Sequence, residues 1–457
     1  MPQRKLDVVL DSVKRLQRMG ATANLVNLLQ KQHPADLAQL LSELPDKDRQ
    51  SAFSLLVERS SRLAMEALSE LGPKAGAALL AGRSSEEIVK LTQELPSDDA
   101  AAIIDYLPEE LAAAVLEQIQ KRPAGGDVGD LLEYKEQTAG RIMNPRVFAL
   151  SEDMTAGEAI IALQESRDVE MVFYLYVIDA RRHLVGVVSL RRLLLVPPST
   201  PLKRIMTTDL ISVRADMDQE EVARQVASYN LLAIPVVDEE NKLVGVITVD
   251  DFIDVIKDEA TEDVYRLAGL AGDDRVFTKP SESLRKRLPW LIVNLATAFL
   301  AAFVVSLFEG TIATVTALAV FMPVVAGMGG NAATQTLTVI VRGIALGELT
   351  WSNSRKALFK EALVGIGNGV ACGVLGGAVV WVTQGNAWLG GILAMAMIIN
   401  MLIAAVAGTL IPLSLRALKV DPALASSVFI TTLTDVFGFL SFLGLGTVFI
   451  RYLQRAG

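Results

Sequence analysis

The hydrophobic pattern of this 457-residue chain changes character near residue 287. Before it, apolar positions recur at helical or alternating spacing among many charges. Beyond it they run almost unbroken: 291–341 holds a single charge, Glu309, and 362–415 holds none. Such runs exceed the roughly 20 residues that cross a hydrocarbon layer about 30 Å thick. They predict five membrane spans, near 289–309, 313–343, 358–383, 388–415 and 423–450. Several are longer than the minimum, so tilt and kinks are expected. Arg285, Lys286 and Arg287 precede the first span, Arg355, Lys356 and Lys360 follow the second, and Arg416 and Lys419 follow the fourth. The positive-inside rule then puts the N-terminal half in the cytoplasm and, after five spans, the C-terminus outside. Arg451 and Arg455 oppose only the last step.

Within this apolar half the polar positions stand out. In 323–349, Gly327, Gly329 and Gly330 are followed by Asn331, Thr334, Gln335, Thr338 and Arg342 at three- and four-residue spacing. On a helix these share one face, with Leu337, Ile340, Val341 and Ile344 on the other. A polar stripe at membrane depth must face protein or water. The glycines are expected to interrupt the helix and expose carbonyls. In the last span Ser427, Thr431, Asp435 and Gly438 form a small polar face opposite Phe429, Leu433, Phe437 and Leu440. Asp435 is the only charge between Pro422 and Ile450. It lies about 18 Å along the span from Ala423, at ~1.5 Å per residue, near mid-membrane. An ionised group there costs about 2.5–3.5 kcal/mol. A hydrated cation in a wet path is the simplest compensation. A proton relay and a helix-to-helix hydrogen bond are the alternatives.

The N-terminal half reads as a soluble, acidic assembly. Segments starting at Leu41, Leu68 and Leu91 repeat at about 25 residues, the period of a helical solenoid. A Pro or Gly stops each first helix, and the following Asp or Ser is expected to cap the next. Asp98, Asp99 and Asp105 give this region an acidic edge. After a Pro/Gly break ending at Asp127 come two related segments, each opening on Met (Met143, Met206) and closing on a Leu-Val-Gly-Val strand and a helix. They resemble a tandem pair of cystathionine-β-synthase-type (CBS) domains, a βαββα module. In such modules a Ser/Thr followed three residues later by Asp holds an adenosine ribose. The second copy has Thr248 and Asp251; the first has Ser189 but Arg192. The resemblance thus implies ATP or AMP at Thr248 and Asp251. The next segment carries Asp250, Asp251, Asp254, Asp258, Glu259, Glu262 and Asp263 on one helix, and such mutual repulsion is relieved by a divalent cation.

Charge and composition narrow the choices. A net charge of −9 argues against a nucleic-acid partner. One cysteine, Cys372, and two histidines, His33 and His183, leave no basis for disulfides or for zinc and copper sites. Any metal would be held by oxygen, which favours hard cations. The N-terminus lacks the apolar core of a secretory signal. No G-x-x-x-x-G-K-[ST] loop and no catalytic dyad is present, so an enzyme is not expected.

Taken together, Pro323, Gly327, Gly329, Gly330, Asn331, Gln335, Thr338, Arg342, Ala345, Gly347 and Glu348, with Asp421-Pro422-Ala423 and Thr434-Asp435, resemble the signature of the MgtE family of bacterial magnesium channels. The likeness implies a multidomain chain: an α-helical solenoid N domain (1–130), two α/β CBS domains (131–200 and 201–252), a connecting plug helix (253–283) and an all-α membrane domain of five transmembrane helices (284–457). It implies a homodimer in the bacterial inner membrane, with a pore on the dimer axis lined by spans two and five. Hydrated Mg2+ would be held by Asp435, with Gly329, Gly330, Asn331 and Thr431 nearby. Cytosolic Mg2+ would close the pore through Asp99, Asp250, Asp258, Glu259, Glu262, Asp263 and Asp421. Where the family usually has a second acid after Asp98 and Asp99 this chain has Ala102, so Asp98 or Asp105 is the substitute expected. The alternative is a proton-coupled carrier of another divalent cation with nucleotide-sensing CBS domains.

Overall fold

In the computed structural model, residues 3–121, 126–166, 174–270, 274, 278–418, 420–422 and 426–455 are described. Most of the Pro/Gly break before Asp127, Lys419, Ala423 and part of the segment after the acidic helix lie outside them. The chain forms two compact units, Met1–Ile256 and Lys257–Gly457.

The first unit opens with α1 (Gln3–Arg18), α2 (Thr22–Leu29), α3 (Pro34–Ser42), α4 (Asp46–Arg59), α5 (Ser61–Leu71), α6 (Pro73–Leu80), α7 (Ser85–Thr92), α8 (Ser97–Asp105), α9 (Glu109–Gln120) and α10 (Gly126–Glu133). Each sequence repeat is a helix pair with Pro or Gly at its turn. Alternate helices stack, α3 on α5, α5 on α7 and α7 on α9, as a solenoid requires. The expected caps are corrected. Pro45 and Pro96 occupy the N-cap positions of α4 and α8, and neither end has a side-chain cap. Asp46 and Ser97 lie inside the first turn instead, where the charge of Asp46 favours the helix dipole. Side-chain capping falls elsewhere: Ser84 and Glu87 form a capping box on α7.

Two βαββα modules follow. The first holds α11 (Ala139–Ile142), β1 (Ala149–Ser151), α12 (Ala156–Glu165), β2 (Tyr174–Ile178), β3 (Leu184–Ser189) and α13 (Leu190–Leu195). The second holds α14 (Leu202–Ile205), β4 (Val213–Arg214), α15 (Gln219–Tyr229), β5 (Ala233–Val237), β6 (Leu243–Thr248) and α16 (Val249–Leu267). In each sheet the middle strand pairs parallel with the first and antiparallel with the third. The methionine that opens each repeat serves the other one. Met143 lies against Gly245 of β6, and Met206 against Gly186 of β3; a Cβ at either glycine would fall 2.4 or 2.6 Å from sulfur. Backbone bonds repeat the exchange, Asn144 N to Val246 O at 2.8 Å and Thr207 N to Val187 O at 2.9 Å. The second module shares a core with the solenoid through Val213, Val222, Ile234, Ile247 and Phe252. The first has its own, around Leu150, Leu175, Val188 and Leu193. The acidic segment is one helix, as its sequence reading had it: α16 closes the second module and continues as the connecting helix, and it stops at Leu267.

The second unit continues with α17 (Pro280–Ser306), α18 (Glu309–Thr314), α19 (Ala317–Ala345), α20 (Ser354–Gln384), α21 (Ala387–Ala417), α22 (Ser426–Val448) and α23 (Ile450–Arg455). Among the described residues five helices, α17 and α19 to α22, are long and apolar enough to cross a membrane. Arg285, Lys286 and Arg287 lie within α17 rather than before it, and short α18 moves the start of the second span to Ala317. The most buried span is α21 and the least is α17. Helices α20 and α21 form a tight hairpin. Glu361, Gly365, Gly369, Gly373 and Gly377, four residues apart, make the buried face of α20. Methyl groups at the last three would fall 2.7 Å from Ile398 Cα, 2.7 Å from Ala394 O and 2.6 Å from Gly390 O. In lipid such close backbone approach replaces hydrophobic driving force with dispersion contact.

That packing yields a direct expectation. Gly373→Leu should lower the stability of detergent-solubilised protein by about 1–3 kcal/mol through overpacking. Gly367→Leu, on a face with nothing within 4 Å, should leave the thermal melt nearly unchanged.

Candidate ion path and cytosolic acidic cavity

In the membrane unit, α19 and α22 pack against each other and both against α21. The predicted two-faced character of α19 is present. Leu337, Ile340, Val341 and Ile344 are buried, while Asn331, Thr334, Gln335, Thr338 and Arg342 are all exposed on the single chain. The expected helix break is corrected: α19 runs unbroken through Gly327, Gly329 and Gly330. Thr334 and Thr338 hydroxyls donate back to the carbonyls of Gly330 and Thr334, at 3.0 and 2.8 Å, so the stripe meets part of its hydrogen bonding within the helix. The glycines act by admitting a neighbour. Asn400 of α21, only 1 % exposed, donates from Nδ2 to Val325 O at 3.0 Å. It lies between Gly329 and Gly438, where added methyl groups would fall 2.2 and 2.7 Å from Nδ2.

Asp435 is half-buried on α22, one helical turn before Gly438. Among the described residues no hydrogen bond or ion pair reaches its carboxylate, so a helix-to-helix hydrogen bond has no partner here. Thr431, one turn earlier, spends its hydroxyl on Ser427 O at 2.8 Å. Two of the buried polar groups that sequence reading passed over in this unit bear on the path. One is Asn400, the lone carboxamide within an apolar span, detectable by the argument applied to Asp435. The other is Glu361, 4 % exposed, bonded by Thr336 of α19 at 3.3 Å and paired with Lys360 at 2.5 Å. Its four-residue register with the α20 glycines marked it as facing inward.

The acidic residues of α16 and the α21–α22 loop also have definite places. Arg266 pairs with both Glu262 and Asp421. Asp258 is exposed, and Glu259 and Asp263 are half-buried. Arg266 was not singled out from sequence, and it supplies the positive charge that a cation was expected to bring to this pair.

In the first unit, the solenoid and CBS acids meet. A cavity of about 390 Å³ is lined by Asp98, Asp99, Arg146, Phe148, Tyr174, Tyr176, Thr248, Asp250 and Asp251, among others. The two acids of α8 start that helix because Pro96 stops the preceding turn. The two on α16 follow directly from the end of β6. Asp251 accepts from the Thr248 backbone at 3.2 Å and from its hydroxyl at 2.9 Å. The Thr-x-x-Asp pattern therefore closes the start of α16 as a capping arrangement. In the first module Ser189 accepts from Arg192 N at 3.2 Å and caps α13 alone. Burial, then the charge of Asp250, pushes the Asp251 carboxyl up to about 7. Burial, then the charges of Asp251 and Asp99, raises Asp98 well above the usual range. Asp98 Oδ1 and Tyr176 Oη are buried with no hydrogen-bond partner among the described residues. Asp105 points elsewhere, paired with Arg141 at 2.8 Å. Among the described residues no group of three His, Cys, Asp or Glu side chains is placed to hold a metal ion.

Comparison with known proteins follows this division. Residues 322–445 match the divalent cation transporter family MgtE, 32–137 the MgtE intracellular N domain, and 139–199 and 202–258 the CBS domain. A magnesium transporter MgtE of Thermus thermophilus is 34% identical over 446 residues, covering 96% of this chain and 98% of its own. One of Bacillus subtilis is 41% identical over 324 residues, 71% of this chain and 72% of the relative. The solved cytosolic domain of the Mg2+ channel MgtE in complex with ATP is 36% identical, with a TM-score of 0.50, over 54% of this chain and 99% of that one. With a relative matched from end to end and the membrane, CBS and N-terminal segments each recognised, the chain belongs to the MgtE family of divalent cation transporters.

Proposed function

We propose that this protein is a Mg2+ channel in a bacterial inner membrane, acting as a homodimer with ions passing between α19 and α22 of the two copies. The observation that carries the reading is the exposed polar stripe of α19 beside Asp435 of α22, which has no partner among the described residues. At membrane depth that face has to be covered by a second copy and water rather than lipid. Asp435 from each protomer, with Asn331, Thr431 and the backbone near Gly329 and Gly330, would then hold a largely hydrated ion. That suits Mg2+, which dehydrates reluctantly and takes few carboxylates. Influx follows the membrane potential, about 4.6 kcal/mol for a divalent ion at 100 mV. The hydrogen bond from Asn386 Nδ2 to Leu453 O at 3.2 Å supports a C-terminus on the outer side, with the α20–α21 turn.

Cytosolic Mg2+ is read as the closing ligand. The first-unit cavity suits it: four acids, one orphaned carboxylate oxygen and raised carboxyl pKa values together favour a hydrated cation. Asp98 takes the part left open by Ala102, with Asp99 and Asp250. Asp258, Glu259 and Asp263 are the candidates along α16, while Glu262 and Asp421 act through Arg266. Without the cation these acids repel and the closed arrangement weakens. The same cavity, with Phe148, Tyr174, Tyr176 and the Thr248–Asp251 pair, suits an adenine nucleotide.

Potential-driven uptake into proteoliposomes tests the path. Asp435→Asn should cut Mg2+ flux by at least about tenfold, and wild-type flux should stay level as external pH is varied between 6 and 8 at fixed cytosolic pH; normal conduction by the variant would overturn the assignment. In a Cys372→Ser background, Asn331→Cys should form disulfide-linked dimers on oxidation. The cavity gives a signed pH effect. Asp251 titrates at about 7 in the folded chain against about 3.9 unfolded. The folded state thus binds the extra proton between those values, and stability falls as pH rises through that window. Without Mg2+ the cytosolic unit of the full-length protein should melt lower at pH 8 than at pH 6, and Mg2+ should close the gap. Asp98→Asn should raise the Mg2+-free melting temperature and shrink the Mg2+-induced shift.

A further inference from the structure

We infer that Asn400 is a positioning residue of the ion path, setting the spacing of α19 and α22 at the level of Asp435 and, through it, the discrimination among divalent cations. The inference rests on the reading that Asp435 and the α19 stripe line that path. Asn400 lies mid-span in α21, the most enclosed span of the membrane unit. Its carboxamide lies between a glycine of each path helix, Gly329 and Gly438, and bonds the α19 backbone at Val325 O. Gly438 follows Asp435 by three residues, about 4.5 Å of helix rise, and Gly329 precedes Asn331 by two.

Two features argue for positioning rather than filling. The amide hydrogen bond fixes one rotamer against one carbonyl, whereas an aliphatic side chain would fill the gap without direction. The other end of the same group, Oδ1, is buried with no partner among the described residues. A side chain serving packing alone carries no such penalty, and a buried unsatisfied polar atom in a native structure calls for a functional account. Cation discrimination is a difference between affinities for nearly equal ions. It is therefore sensitive to small changes in the spacing of the groups that grip the hydration shell.

The experiment measures Mg2+ and Ca2+ flux at fixed potential for full-length wild type, Asn400→Ala, Gly329→Ala, the double variant and Asp435→Asn. Asn400→Ala should lower the Mg2+ to Ca2+ flux ratio by about tenfold while the dimer persists. Gly329→Ala, which drives a methyl group into the carboxamide, should lose flux. Adding Asn400→Ala should restore flux at least about tenfold over that single variant, with the relaxed ratio. Loss of a merely structural residue would lower both fluxes together and leave the ratio at the wild-type value. That result in Asn400→Ala, or a double variant as inactive as Gly329→Ala, overturns the inference. If Asn400→Ala does not yield folded dimer, Asn400→Ser reads the same ratio. Failure of the underlying path reading is a separate result, namely Asp435→Asn conducting like wild type.

Discussion

A polar group placed in hydrocarbon has to be enclosed by protein or met by water, because lipid offers it no hydrogen bond. Much of the membrane unit follows from that constraint. Asn400 and Glu361 are enclosed, one between glycines of two helices and the other beneath a threonine of α19. The Asn331 to Arg342 stripe and Asp435 are not enclosed within one chain. The first pair holds the helices together; the second set is left for what lies outside the single chain. Glycine makes the sorting possible. Four-residue spacing on α20 brings α21 close enough for backbone to touch backbone, and single glycines on α19 and α22 admit a side chain from α21.

What could be read in advance was whatever depends on period and composition. Leu337, Ile340, Val341 and Ile344 turned inward as the helical spacing required. The five spans, the solenoid repeats and the two related segments were equally plain, because each repeats a local pattern; the βαββα form of those segments came from their resemblance to CBS domains. What escaped depends on contacts between distant segments. Nothing near Gly329 in sequence announces Asn400, 71 positions on, so the glycines read as a break in the helix and proved to be a notch. Arg266 looked like the end of a charged helix until its pairing with Asp421 was in view. The caps failed for a local reason: Pro at the N-cap has no side-chain acceptor to offer, and Asp46 and Ser97 beside it read as caps although they sit one position inside the helix.

The cytosolic cavity illustrates how one residue serves two accounts. Asp251 ties the start of α16 through Thr248, which alone explains the Thr-x-x-Asp spacing as helix architecture. The same carboxylate lies among Asp98, Asp99 and Asp250, and its charge is disfavoured first by burial and then by Asp250 and Asp99. A helix start fastened by an acid whose charge its neighbours oppose is sensitive to any cation that enters. Local stability and any response to a cation would therefore run through the same hydrogen bonds.

The exchanged methionines of the CBS pair bear on synthesis. Met143 finds its seat over Gly245, and Met206 over Gly186. The opening segment of the first module is thus completed by a strand more than a hundred residues downstream. During translation the first module cannot finish folding on emergence; it waits with its leading edge unpaired until the last strand of the second has left the ribosome. A ribosome that stalls between the modules leaves a complete three-stranded sheet whose Met143 and Asn144 still lack their seat on the last strand.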